Sequence, residues 1–283
     1  MRLAGQKIKV NGIQLNVVIE GEGAPVVLLH GFPDSSAVWR NQIKVLAGRG
    51  YKIVAPDLRG YGDSDAPQGR GQYTLNIIAK DVTGLLDHLG IKKAFVVGHN
   101  WGAALGWYLA IRHPERIERY VAISVGHPRA YRSGIEQKLR GWYAFAFQFP
   151  VISEQMVRAF NWYVLRKMTG NHPENEIWIK DLSREGRRTA GLNWYRASGL
   201  GVMFGNFPNV HVPVLGIWST GDRFLSEDQM KNSVRYVDAD WHYEKIEGSS
   251  HWIPLDAPDR LNALLLDYFG KSLPRFCSQF PAE

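Results

Sequence analysis

Apolar and polar positions alternate cleanly in only one early part of the chain. Ile8 and Val10 alternate with lysines, and Ile13, Leu15 and Val17 resume the two-residue period after Asn11-Gly12, which predicts a β-hairpin over 8–20. Beyond it the apolar residues come in short, nearly continuous runs at 25–29, 51–55, 94–97, 120–125 and 212–218. Runs of that kind belong to strands covered on both faces. Between them the period lengthens to that of a helix. Residues 39–47 are amphipathic and stop at Gly48, and 75–89 carry Ile78, Val82, Leu85, Leu86 and Leu89 on one face before Gly90. A helix is predicted from the residues after Gly102 to about Arg112, a last strand at 241–246, and a closing helix over 258–269. Strands that alternate with helices predict the α/β class: a mainly parallel, doubly wound sheet with right-handed crossovers. Functional groups in such sheets collect at the carboxyl ends of the strands. From Pro128 to Val210 the strand runs disappear and aromatic-rich helical stretches replace them. The expected organisation is therefore a core of residues 1–128 and 211–283, with 129–210 inserted as a helical cap over the sheet's active edge.

The stretch Val96-Val97-Gly98-His99-Asn100-Trp101-Gly102 has the form of a strand–turn–helix elbow. Small residues flank a tight turn whose central side chain is held up at the end of the sheet, where a nucleophile belongs. The central residue here is Asn100, and an amide is a poor nucleophile because its lone pair is delocalised. Asp222 follows the run at 212–218 and His251 follows the last predicted strand. Nucleophile, acid and histidine in that chain order match the α/β-hydrolase arrangement. His251 would act as base, since imidazole titrates near neutrality, and Asp222 would fix its tautomer. The backbone N–H groups of Phe32 and Trp101 would form an oxyanion hole.

Composition narrows this picture. The 283 residues are 45% hydrophobic and 22% charged, with a net charge of +7. The basic residues are scattered, with small groups at Arg166/Lys167 and Arg184/Arg187/Arg188, so no nucleic-acid partner is expected. No apolar run approaches the ~20 residues of a membrane helix, and the first residues lack a signal-peptide core. A cytoplasmic setting with no membrane partner is the expectation. Cys277 is the single cysteine, which rules out an internal disulfide. No motif calls for a cofactor or a metal.

Four segments carry a resemblance over nearly the whole chain. His30-Gly31-Phe32-Pro33, Asp57-Leu58-Arg59-Gly60-Tyr61-Gly62-Asp63-Ser64, Gly98-His99-Asn100-Trp101-Gly102 and Gly248-Ser249-Ser250-His251-Trp252 resemble the soluble epoxide hydrolases of the α/β-hydrolase superfamily. That family places aspartate in the elbow and takes two tyrosines from its cap. Asn193-Trp194-Tyr195-Arg196 is similar to one tyrosine motif, and residues 143–150, beginning at Tyr143, are more loosely similar to the other. The resemblance implies that a carboxylate opens an epoxide to an alkyl ester while the two phenols protonate the departing oxygen. A water activated by His251 and Asp222 then releases a vicinal diol. The expected partners are a small apolar epoxide and water; a homodimer is compatible with the family.

Asn100 departs from the pattern. It reads as an isosteric replacement of aspartate that leaves the frame intact and stops turnover; the alternative is a chain that binds without turnover. The implied mechanism also allows activated water to attack the Asn100 amide and regenerate aspartate. Haloalkane dehalogenases share the aspartate elbow and the tryptophan after it, which helps bind the leaving halide, but they usually carry asparagine where Phe32 stands and do not need the paired cap tyrosines. Fluoroacetate dehalogenases usually carry arginine where Trp101 stands. A dehalogenase of the same fold, or a non-catalytic small-molecule-binding protein, is therefore the competing reading.

Overall fold

A computed structural model describes residues 4–270. The chain opens with β1 (Gln6–Val10) and β2 (Ile13–Glu20), the predicted hairpin. Val10 pairs with Ile13 across Asn11-Gly12, whose φ angles of 45° and 81° are both positive, as a two-residue turn matched to strand twist requires. Then β3 (Ala24–Leu29), α1 (Arg40–Ala47), β4 (Tyr51–Pro56), α2 (Leu75–His88), β5 (Ala94–His99), α3 (Trp101–Arg112) and β6 (Ile117–Ile123) alternate. Six helices follow with no strand among them: α4 (Pro128–Ser133), α5 (Ile135–Arg140), α6 (Trp142–Ala146), α7 (Ile152–Met168), α8 (Asn175–Leu182) and α9 (Arg187–Phe204). The backbone of α7 leaves helical geometry at residues 159–162. Next come β7 (Val214–Ser219), α10 (Glu227–Lys231), β8 (Trp241–Ile246), α11 (Ile253–Asp256) and α12 (Pro258–Gly270).

The strands form one sheet in the order β1-β2-β4-β3-β5-β6-β7-β8. The pairs β1–β2 and β2–β4 are antiparallel and every later pair is parallel. Helices lie on both faces, which is why the central strands read as continuous apolar runs: Val26, Val27, Leu28 and Leu29 are all fully buried. The carboxyl ends of β3, β5, β7 and β8 lead directly into Gly31-Phe32, Asn100, Asp222 and His251. The six-helix insertion leaves the sheet at the carboxyl end of β6, and the chain re-enters at the amino end of β7, which runs parallel to β6. The insertion is tied to the core by the Trp194 indole, which donates to the Arg59 carbonyl at 3.0 Å, and by Arg184, which donates to the Gly62 carbonyl at 2.7 Å. Among the described residues no helix is long and apolar enough to cross a membrane.

Candidate active site

The elbow exists because the chain reverses within one residue. β5 ends at His99, α3 begins at Trp101, and Asn100 between them has φ 55° and ψ −121°, a backbone region that side chains rarely adopt. Steric necessity accounts for the glycines around it. A Cβ on Gly102 would collide with the carbonyl of Leu29, and one on Gly98 with the carbonyl of Gly102. Backbone N–H groups of Ala103 and Ala104 donate to the Asn100 carbonyl at 2.9 and 3.1 Å and start the helix.

The Asn100 amide is oriented by its partners. Its Oδ1 accepts the backbone N–H of Phe32 at 3.1 Å and that of Trp101 at 2.7 Å. Two donors on one atom identify it as the oxygen, so Nδ2 is the atom 2.9 Å from His251 Nε2. On its other side, His251 Nδ1 lies 2.7 Å from Asp222 Oδ2. A carboxylate oxygen accepts, so Nδ1 carries the proton and Nε2 offers its lone pair to the Asn100 amide. The other carboxylate oxygen, Asp222 Oδ1, takes the backbone N–H groups of Phe224 and Leu225 at 2.8 and 3.0 Å. Both His251 and Asp222 are buried. The five groups predicted at this end of the sheet, Phe32, Asn100, Trp101, Asp222 and His251, thus form one continuous hydrogen-bonded chain.

Two further histidines frame it. His30 Nδ1 faces the Gly31 carbonyl at 2.9 Å, and its Nε2 accepts the Leu58 N–H at 2.9 Å. Burial holds it below the usual imidazole range, against the pull of Asp57, so it serves as a neutral brace under the loop that carries Phe32. His99 Nε2 lies 2.9 Å from the His251 carbonyl. Burial, reinforced by the nearby His251, holds His99 well below the usual range.

Above Asn100 lies a cavity of about 480 Å³, within the usual range for small-molecule sites. Its walls include Trp101, Val125, Val202, Met203 and Leu225 as well as both predicted tyrosines, Tyr143 on α6 and Tyr195 on α9. Trp142, Phe145 and Phe204 line it and are also exposed, which marks the mouth between α6 and the end of α9. The phenol rings sit 6.1 Å apart, and Tyr195 stands edge-on to Trp101 at 5.0 Å. Burial raises the pKa of both phenols, with a hydrogen bond from Trp101 opposing the rise at Tyr195, so each keeps its proton near neutral pH. Arg196 holds the two tyrosine segments in register. It donates to the Phe147 carbonyl at 3.0 Å, to Glu154 at 2.8 and 2.7 Å, and to Ser153 Oγ at 2.6 Å.

A second cavity of about 30 Å³ touches Asn100 and His251 and is also lined by Phe32, Tyr143, Phe224 and Trp252. Behind it, Asp34 accepts the Trp178 indole N–H at 2.7 Å and the Trp252 indole N–H at 3.0 Å. This junction between core and insertion was not anticipated from sequence. Asp34 directly follows the His30–Pro33 motif and Trp252 directly follows His251, which was the available signal. Trp178 was one aromatic among many.

A family model described as the alpha/beta hydrolase fold matches residues 24–258. The chain is 36% identical to the AB hydrolase superfamily protein YfhM of Bacillus subtilis, over 93% of this chain and 96% of that one. It is 31% identical to epoxide hydrolase 3 of Xenopus tropicalis, over 93% of this chain and 76% of the relative. Among solved structures, an epoxide hydrolase from Vigna radiata superposes with a TM-score of 0.81 at 29% identity, covering 95% of this chain and 98% of that one.

Proposed function

From a chain that belongs to the α/β-hydrolase family and stands there among the epoxide hydrolases, we propose a site built to open an apolar epoxide to a vicinal diol through a covalent ester at position 100. The observation that carries this reading is the shared cavity: Asn100 and the two buried phenols of Tyr143 and Tyr195 line the same apolar chamber. An epoxide there would lie between position 100 and the tyrosines. A carboxylate at 100 would attack one ring carbon, the C–O bond would break, and the alkoxide would take a proton from a phenol. The phenol proton is available because burial keeps both tyrosines neutral.

The second half of the reaction suits the other wall. A water deprotonated by His251 would add to the ester carbonyl, with Asp222 holding the imidazole and stabilising its charge. The charge that develops on the carbonyl oxygen would fall where the Phe32 and Trp101 N–H groups now hold Asn100 Oδ1. Phe32 separates the site from the haloalkane dehalogenase pattern and Trp101 from the fluoroacetate dehalogenase pattern, and the paired phenols of Tyr143 and Tyr195 in the chamber favour an epoxide over a haloalkane.

With the amide in place the first step has no nucleophile. The Asn100→Asp variant tests the whole reading against a panel of epoxides and chloroalkanes. Diol formation by the variant, with none by the freshly prepared Asn100 protein, is the expected result. Halide release without diol, or no product despite retained binding, would overturn it.

A further inference from the structure

We propose that this chain makes its own nucleophile: water hydrolyses the Asn100 side-chain amide in place, leaving aspartate and ammonium. The inference rests on the proposed site reading and adds a distinct reaction to it.

Three features of the geometry support the step. The amide oxygen already sits in the two-donor hole, so Cγ is polarised as an ester carbonyl in that position would be. The atom that must leave, Nδ2, is the one 2.9 Å from His251 Nε2, in line for a proton. The 30 Å³ cavity bordered by both Asn100 and His251 exceeds the ~15 Å³ that a single water requires. The polarised carbon, the general base and the water's place therefore meet at one small cavity.

The atoms balance as follows. The water oxygen bonds to Cγ and its proton passes to His251 Nε2, while the carbonyl electrons move onto Oδ1. The carbonyl re-forms, the Cγ–Nδ2 bond breaks with its electron pair leaving on nitrogen, and His251 returns the proton to that nitrogen. The new carboxylic acid gives its proton to the departing ammonia. Asp222 holds the transient imidazolium, as it would in diol release.

The route differs from ordinary asparagine loss, in which the following backbone nitrogen attacks Cγ and yields a mixture containing isoaspartate. Here the Trp101 N–H is directed at Oδ1 at 2.7 Å and lies in the first turn of α3, so that ring closure is blocked.

Peptide mapping of the folded protein, incubated at neutral pH in oxygen-18 water, tests the inference. The expected result is progressive conversion of Asn100 to aspartate bearing one heavy oxygen, without isoaspartate, and with diol-forming activity rising in step. His251→Gln should slow conversion by about 10²-fold or more, the usual contribution of a positioned acid–base group. Asp222→Asn should slow it as well, which guards against a His251 variant that does not fold. Asn100 unchanged after long incubation, isoaspartate in the product, or undiminished conversion in both variants would overturn the inference. Aspartate formation is read by mass, independently of turnover. A diol from Asn100→Asp without conversion of Asn100 would refute this inference alone, and conversion without any diol would refute the epoxide reading alone.

Discussion

At the scale of single residues, the site divides its labour between two walls. The sheet edge supplies an acceptor–donor chain from Asp222 through His251 to Asn100, and the insertion supplies two neutral phenols. Each phenol is held above its ordinary pKa chiefly by burial, so in the proposed reaction it would serve as a proton donor and not as a base. In the Asn100→Asp background, Tyr195→Phe should therefore slow ester formation by about 10²-fold, the usual contribution of one positioned acid. Ester hydrolysis, which uses the opposite wall, should be nearly unaffected. Rapid-quench measurement of the covalent intermediate separates the two steps. Equal slowing of both would mean that Tyr195 acts by shaping the chamber.

At the scale of elements, a helix presents each of three consecutive residues to a different neighbour. On α9, Trp194 reaches the core at Arg59, Tyr195 enters the chamber, and Arg196 turns away to Glu154 and Phe147. Arg196 and Glu154 are both largely buried, so the pair is a joint between α7 and α9 and also reaches the end of the segment that starts at Tyr143. Arg196→Met leaves the Glu154 carboxylate without its cation, and should lower unfolding stability by about 3–5 kcal/mol. Urea denaturation would measure it. A loss under 1 kcal/mol would show that the joint is not under electrostatic load.

At the scale of the whole molecule, core and insertion meet at Asp34, held between the indoles of Trp178 and Trp252. Burial pushes its pKa up to about 7, against the two indole hydrogen bonds and the neighbouring His172 and His251. In the unfolded chain an aspartate titrates near 3.9. Between those values the native protein keeps a proton that the unfolded chain has lost. The contribution of Asp34 to stability is thus fully present below about pH 4 and declines as pH rises, levelling off near 7. Urea midpoints collected across that window should show a downward slope that Asp34→Asn removes, even though the variant is less stable throughout. An unchanged slope in the variant would assign the pH dependence to other groups.

Most of the frame was legible along the chain because its causes are local. A two-residue turn needs positive φ at Asn11-Gly12, a strand covered on both faces needs an unbroken apolar run, and the elbow needs glycines where backbone approaches backbone. Those requirements fixed the hairpin, the order of strands and helices, and the positions of Asn100, Asp222 and His251 at strand ends. What only the tertiary structure decided depends on residues far apart in sequence. The orientation of the Asn100 amide is set by Phe32, Trp101 and His251, and the Asp34 junction joins residues 34, 178 and 252. No periodicity encodes such meetings, because a hydrogen bond between distant segments constrains where two side chains end up and leaves the spacing between them free.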